Sequence, residues 1–176
     1  MSDETMTKSR LQETMQAERH QWEEAIAAIG RARMTLPGCA GVWSARDVVA
    51  HVTAYEQWML DALEALARGE APPPSLLDDG DMERRNLAAH ELTHHLSLDD
   101  VQAAADRVWR GLTQAVAGLD EETLTAVSRA PEFVKKHWDD QTSLWEAIAG
   151  LTYEHYEEHL PDFHAWVATA TTSSAG

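Results

Sequence analysis

The sequence predicts an all-α protein, a four-helix bundle with one long crossover between its second and third helices. Three observations carry that expectation. Apolar residues recur at a 3.6-residue period nearly throughout, Ser-led capping signals stand just before several of these stripes, and no segment alternates with the period of a strand. A length of 176 residues suits a single domain with its own core, expected over residues 1–170 with a flexible tail at 171–176.

From Lys8 to Arg33 the stripe runs Leu11, Met15, Trp22, Ile26 and Ile29 along one face, and Pro37-Gly38 then interrupts it. Ser44 and Asp47 form a capping box that opens a second helix, with Val48, Val52, Tyr55, Met59, Leu63 and Leu66 on one side. Arg68-Gly69 supplies its C-terminal stop. Three consecutive prolines, Pro72 to Pro74, exclude helix, so the stretch from Gly69 to Gly80 is the crossover. A third helix is expected from Asp81 to about Leu96. Ser97 caps a fourth, with Val101, Ala105, Val108, Leu112, Val116 and Leu119 in register. Residues 120–141 read as a short helical turn and a loop around Pro131, and Thr142 caps a last long helix reaching about Thr169.

Composition narrows the function. Thirty acidic against fourteen basic side chains leave a net charge of −16, which disfavours nucleic acid and anionic membrane surfaces as partners. No apolar run approaches the roughly 18 residues of a membrane span. The N-terminal stretch lacks the basic and apolar regions of a signal peptide, and a single cysteine, Cys39, points to a reducing cytoplasm. Cys39 has no basic neighbour in sequence to activate it as a thiolate. The acidic cluster Asp78, Asp79, Asp81 lacks the calcium-loop pattern and reads as a cap for the third helix.

Nine histidines in so acidic a chain call for an account. The stripe of the last helix reads Leu144, Ile148, Leu151, His155, His159, Phe163 and Trp166, which places two histidines on consecutive core positions. Four residues apart, their rings lie about 6 Å apart in rise and can chelate one ion. The alternative is a pair of hydrogen-bonded or half-exposed structural histidines. His51, at the edge of the apolar face of the second helix, is a candidate third ligand. Three imidazoles leave a tetrahedral ion an open position, as catalytic sites do. Tyr55 and Glu158, close by on the same helices, could orient a ligand or move a proton.

A rival motif is His90-Glu91-Leu92-Thr93-His94, the H-E-x-x-H pattern of zinc metalloproteases, in which Glu91 would be the base. It lacks a third ligand at the expected distance, where Gln114 stands, and there is no strand to hold a peptide. His20, His95, His137 and His164 read as surface or loop residues.

The stretch Leu36-Pro-Gly-Cys-Ala-Gly-Val-Trp-Ser-Ala-Arg-Asp-Val-Val-Ala-His51-Val-Thr-Ala-Tyr-Glu-Gln-Trp58 resembles the "pG…g.WS.kDvlaH...wE.w" signature of the DinB-like four-helix bundles, in particular their ClbS/DfsB branch. The ending from Leu151 through His155 and His159 to Trp166 is similar to that branch's "tyeHy.eHl..i.aW". The segment from Asn86 to Val101 resembles a third part of it. The resemblance implies an up-down-down-up bundle and makes His51, His155 and His159 the family's metal triad, complete in this chain. It also implies that the H-E-x-x-H match is accidental. Pro161, two residues past His159, removes a helical hydrogen bond and is expected to bend the helix just beyond the site.

Together these readings give a cytoplasmic protein that binds a divalent transition metal (zinc first, then nickel or iron). Its expected partner is a small-molecule substrate, and the resemblance further implies a metal-dependent hydrolase, or a thiol-dependent S-transferase using a low-molecular-weight thiol, in detoxification or self-protection. The alternative is a protein that sequesters a small toxic compound without turnover, with Trp43 and Trp58 beside His51 as a stacking surface. Bundles of this kind often pair, which makes a homodimer a candidate assembly that the sequence does not decide.

Overall fold

The computed structural model describes residues 6–173. Helix α1, Lys8–Ile29, starts where the Thr7 hydroxyl accepts from the Arg10 amide and stops at Gly30, whose φ of 77° ends the helical run. A single 3₁₀ turn, Arg31–Arg33, follows in place of the expected last turn of α1.

The chain then departs from the helical expectation. Pro37–Ala40 (β1) and Trp43–Ser44 (β2) pair antiparallel, with Pro37 opposite Ser44 and Ala40 opposite Trp43. Too short to show alternation, this hairpin depends on Gly38 and Gly41, which take φ values of 104° and 62° that other residues rarely adopt. It matters because it seats Trp43 beside the site and brings Gly38 against the ring of Trp166.

Helix α2, Ala45–Arg68, opens with the predicted capping box. The Asp47 amide donates to Ser44 Oγ at 3.2 Å, and the Ser44 amide donates back to the Asp47 carboxylate at 3.0 Å. It closes on Gly69 in the left-handed conformation. The crossover carries one 3₁₀ turn, Leu76–Asp78, before α3, Met82–Thr93, which Asp81 caps. Helix α4, Leu98–Gly118, begins at the predicted Ser97 cap, which the structure completes as a capping box with Asp100. Two short helices follow, α5 (Glu121–Thr125) and α6 (Glu132–His137).

The last helix is not continuous. Helix α7, Leu144–Leu151, is capped by Ser143 rather than by Thr142, and α8 runs from Tyr153 to Ser173. The interruption is at Thr152, upstream of Pro161, which lies inside α8. The Thr152 hydroxyl donates to the Ile148 carbonyl at 2.7 Å, taking the acceptor its own amide would use in a regular helix, and that amide bonds Ala149 at 3.1 Å instead. The tail expected from residue 171 falls partly on the end of α8, and residues 174–176 lie outside the described residues.

Four long elements make the bundle: α1, α2, α4 and the α7–α8 pair. The Lys8 ammonium at the start of α1 donates to carbonyls 117 and 119 at the end of α4, so these two run antiparallel. Residues 50–61 of α2 share a cavity with 101–108 of α4, and residues 63–67 share another with 111–118, so α2 and α4 run parallel. Trp22 stacks on Tyr156 and Phe163, while Arg33 reaches Thr169, which makes α1 and α8 parallel. The order is up-down-down-up. Trp22, Tyr156, Phe163, Leu112 and Ile148 are fully buried at its centre.

A candidate metal centre between two helices

The hydrophobic face of α2 turns His51 toward α8, and the break at Thr152 sets the phase with which α8 presents His155 and His159. The Nε2 atoms of His51 and His155 stand 3.0 Å apart. One ligand nitrogen from each of the three histidines lies within 4.8 Å of the others, and among the described residues this is the sole group of three or more such side chains placed to hold a metal ion. Tetrahedral zinc with nitrogen ligands at about 2.0–2.1 Å sets its donors about 3.3 Å apart, so the spacing needs small side-chain adjustments rather than backbone movement.

The electrostatics point the same way. Burial, reinforced by the neighbouring His159, lowers the pKa of His51 to about 4. Burial with His51 and His159 lowers that of His155 to about 3. His159 is lowered by burial too, less fully because Glu158 and Asp162 oppose it. All three rings are therefore neutral near pH 7, the state in which imidazole is a ligand. His51 Nδ1, His155 Nδ1 and His159 Nε2 are buried without a hydrogen-bond partner. The structural alternative is met only in part: His51 and His155 reach each other through Nε2, while one buried nitrogen on each of the three rings has no partner. A soft-to-borderline divalent cation fits this donor set.

Tyr55 meets the edges of His51 and His155, with ring centroids 5.0 and 5.3 Å away, and its hydroxyl donates to Asn86 Oδ1 at 3.3 Å. Burial raises its pKa, and the charge of Arg85 partly offsets that. Glu158 is exposed at the rim of the same cavity. The cavity measures about 250 Å³, and its far wall is built by Met82, Arg85 and Asn86 of α3 together with His137 and Trp138.

Three of these wall residues were not singled out by sequence. His137, read as a loop residue, ends α6 with its side chain 5% exposed and its ring 5.3 Å from that of Trp58. Its local sequence carries no period that would show this. Arg85 and Asn86 follow Met82 at the i+3 and i+4 positions, so the inner face of α3 was the available signal.

The rival motif is not completed. His90 stacks on Trp43 at 5.4 Å, its Nε2 is 4.0 Å from Asp47, and His94 Nδ1 bonds the carbonyl of Glu91 in its own chain turn. His94 is already the C-cap of α3, and no third ligand joins His90 and His94 among the described residues. Burial pushes the Cys39 thiol up to about 11, with Asp162 adding to the effect, so it is no thiolate. Asp81 caps α3, and Asp78 pairs with Lys136.

A separate network lies one residue along from the triad. Glu56, Tyr156 and Arg19 are all but fully buried, with the Tyr156 hydroxyl donating to Glu56, and Arg19 3.3 Å from that hydroxyl and 3.8 Å from Glu56. Burial pushes Glu56 up to about 7 against the opposing pull of Arg19 and Tyr156.

A second cavity, about 510 Å³ and mainly apolar, lies on the other side of α2 between α3 and α4. Trp58 lines it, with an indole N–H that is buried and unpartnered.

This fold and site define the class. The model of the DinB superfamily matches residues 14–161, and the chain belongs to that superfamily. No curated protein matches it. Among solved structures, a protein from Streptococcus pneumoniae is similar with a TM-score of 0.78 and 13% identity, covering 94% of this chain and 93% of that one. A protein of uncharacterised function from Escherichia coli UTI89 superposes with a TM-score of 0.75 at 15% identity, over 97% and 98% of the two chains. The colibactin self-resistance protein ClbS, crystallised in complex with double-stranded DNA, gives a TM-score of 0.73 at 11% identity, over 91% and 94%. At these identities the likeness is one of fold. No helix among the described residues is long and apolar enough to cross a membrane.

Proposed function

We propose that this chain binds one divalent transition-metal ion through His51, His155 and His159 and acts on a small molecule in the adjoining cavity. The reaction is a hydrolysis or a thiol-dependent transfer in cytoplasmic detoxification or self-protection, the setting that the ClbS/DfsB resemblance implies. The observation that carries the reading is the convergence of three neutral imidazoles within 4.8 Å, with a buried, unpartnered nitrogen on each ring. When bound, the ion supplies Lewis-acid charge that favours the anion of a water or thiol at its open position. The chain supplies the rest. Because burial keeps the ligands neutral, few protons have to leave before an ion is held. Tyr55 wedges against two of the rings and limits their rotation, while its hydroxyl faces α3. Glu158, exposed at the rim, is placed to exchange protons with solvent.

Metal content after exposure to zinc, nickel and iron tests this for the wild type, His155→Ala and His90→Ala. The expected result is one ion per chain in the wild type and in His90→Ala, with loss in His155→Ala. Loss in His90→Ala alone overturns the assignment.

Sequestration is the second reading, favoured by the 510 Å³ apolar cavity with its unpartnered Trp58 donor. It requires ligand retention in His155→Ala with no turnover in the wild type. ClbS was crystallised with double-stranded DNA, but a net charge of −16 argues against that ligand for this chain. A mobility-shift titration at about 50 mM salt, where phosphate contacts are strongest, should show no complex.

A further inference from the structure

Arg85 is the residue of the metal cavity that remains unexplained. It is half-buried, it lines the cavity opposite the histidines, and its Nε is buried with no hydrogen-bond partner. No carboxylate lies within 4.0 Å of its guanidinium among the described residues, although acidic side chains outnumber basic ones 30 to 14. Asp79, whose carboxylate feels the charge of Arg85, is paired with Arg84 at 3.1 Å instead. Asn86 accepts from Tyr55, so its side-chain oxygen is engaged elsewhere. The other charged group on the cavity is Glu158, which is exposed at the rim and screened by water. A partly desolvated guanidinium on the wall of an open cleft, with its buried Nε–H unpartnered, is a fork suited to a planar oxyanion.

We infer that Arg85 is the substrate-recognising cation of this cavity, and that the small molecule held against the three histidines carries a carboxylate. This rests on the reading of the cavity as a small-molecule site. At about 250 Å³ the cavity falls below the roughly 300–1,000 Å³ usual for drug-sized ligands, so the molecule is a compact one. The carboxylate sits on the α3 side, which leaves the rest of the molecule directed toward His51, His155 and His159.

The test uses benzoate as probe, with benzamide and benzylamine as neutral and cationic counterparts, followed by amide chemical-shift titration of the full chain. It is run on metal-free and zinc-exposed protein, because a carboxylate can also bind an ion directly. In the metal-free protein benzoate should bind about tenfold or more tightly than either counterpart, with shifts at Arg85, Asn86 and Trp138. Arg85→Gln should lower benzoate affinity to the benzamide level with an unchanged thermal midpoint. Arg85→Lys should restore part of it, since a point charge keeps the attraction and loses the fork. Equal binding of benzoate and benzamide, no binding of benzoate, or an Arg85→Gln variant that binds as the wild type does would each overturn the inference. Its failure is separable from that of the metal reading. Arg85-dependent binding of benzoate with no His155-dependent metal leaves this inference standing alone, and His155-dependent metal with Arg85-independent binding removes only this one.

Discussion

His51 Nε2 and His155 Nε2 face each other 3.0 Å apart across the seam between α2 and α8, both on rings that burial keeps neutral. Two neutral imidazoles so placed can share one proton in a hydrogen bond, or aim two lone pairs at a common ion. Either way each ring has a buried Nδ1 with no partner, so the pair is a weak structural device and a ready ligand set.

Acid should destabilise the metal-free protein. The folded pKa values of His51 and His155, about 4 and about 3, lie below the ordinary 6.5. Between pH 6.5 and those values the unfolded chain binds more protons, so stability present above pH 6.5 is lost as pH falls. Glu56 acts in the opposite sense. Its folded pKa of about 7 exceeds the ordinary 4.5, so its contribution is full below pH 4.5 and lost as pH rises through 7. Two histidines outweigh one glutamate, and urea midpoints measured from pH 7 to 4 should fall. His155→Leu should flatten the fall, whereas a midpoint that climbs on acidification would show that Glu56 dominates.

Zinc at a concentration 100-fold above its Kd should stabilise the protein by about 2.7 kcal/mol at pH 7. That increment should vanish as protons compete for the ligands, and chelation should reverse it. A thermal midpoint unmoved by zinc at every pH would contradict ligation by the native fold.

Arg19 and Glu56 should show strong coupling. Removing one partner of a buried ion pair leaves a stranded charge and typically costs about 3–5 kcal/mol. Glu56→Leu is expected to cost less than that range, because burial leaves Glu56 only partly ionised near pH 7 and Arg19 keeps Glu23 at 2.8 Å and Asp106 at 3.9 Å. Adding Arg19→Met should recover most of the stability, as apolar replacements of both partners often do. Additive losses in the double-mutant cycle would mean that the two groups do not act as a pair.

Thr152 should act on the site through the helix break. In Thr152→Val the hydroxyl bond to Ile148 is gone, and the amide is free to return to that carbonyl and rejoin α7 to α8. The loss of one hydrogen bond changes stability by about 1 kcal/mol, but the altered phase of α8 should weaken zinc binding by tenfold or more. Thr152→Ser should behave as the wild type. Unchanged zinc affinity in Thr152→Val would confine Thr152 to a structural role.

The local features were legible because they rest on near neighbours. Ser44 forms the predicted capping box with Asp47, and Ser97, predicted as a cap, forms one with Asp100, three residues on in each case. The His155–His159 pair is one helical turn, so its common face followed from the period alone. His51 was a candidate third ligand from its place on the second helix and the resemblance assigned it to the triad, but only packing brings it to the pair across 104 residues.

Sequence by itself determined the helical class, the caps at Ser44 and Ser97, the crossover and the histidine pair, all set by spacings of a few residues along one chain segment. Tertiary structure alone decided that Arg85 and His137 share a wall with the triad, that Glu56, Tyr156 and Arg19 meet in the core, and that His90 and His94 find no third ligand. It also decided the break at Thr152, where a side-chain hydroxyl competes with the backbone for one carbonyl. Such meetings depend on how helices pack and on where the chain leaves helical phase, and neither leaves a period in the sequence.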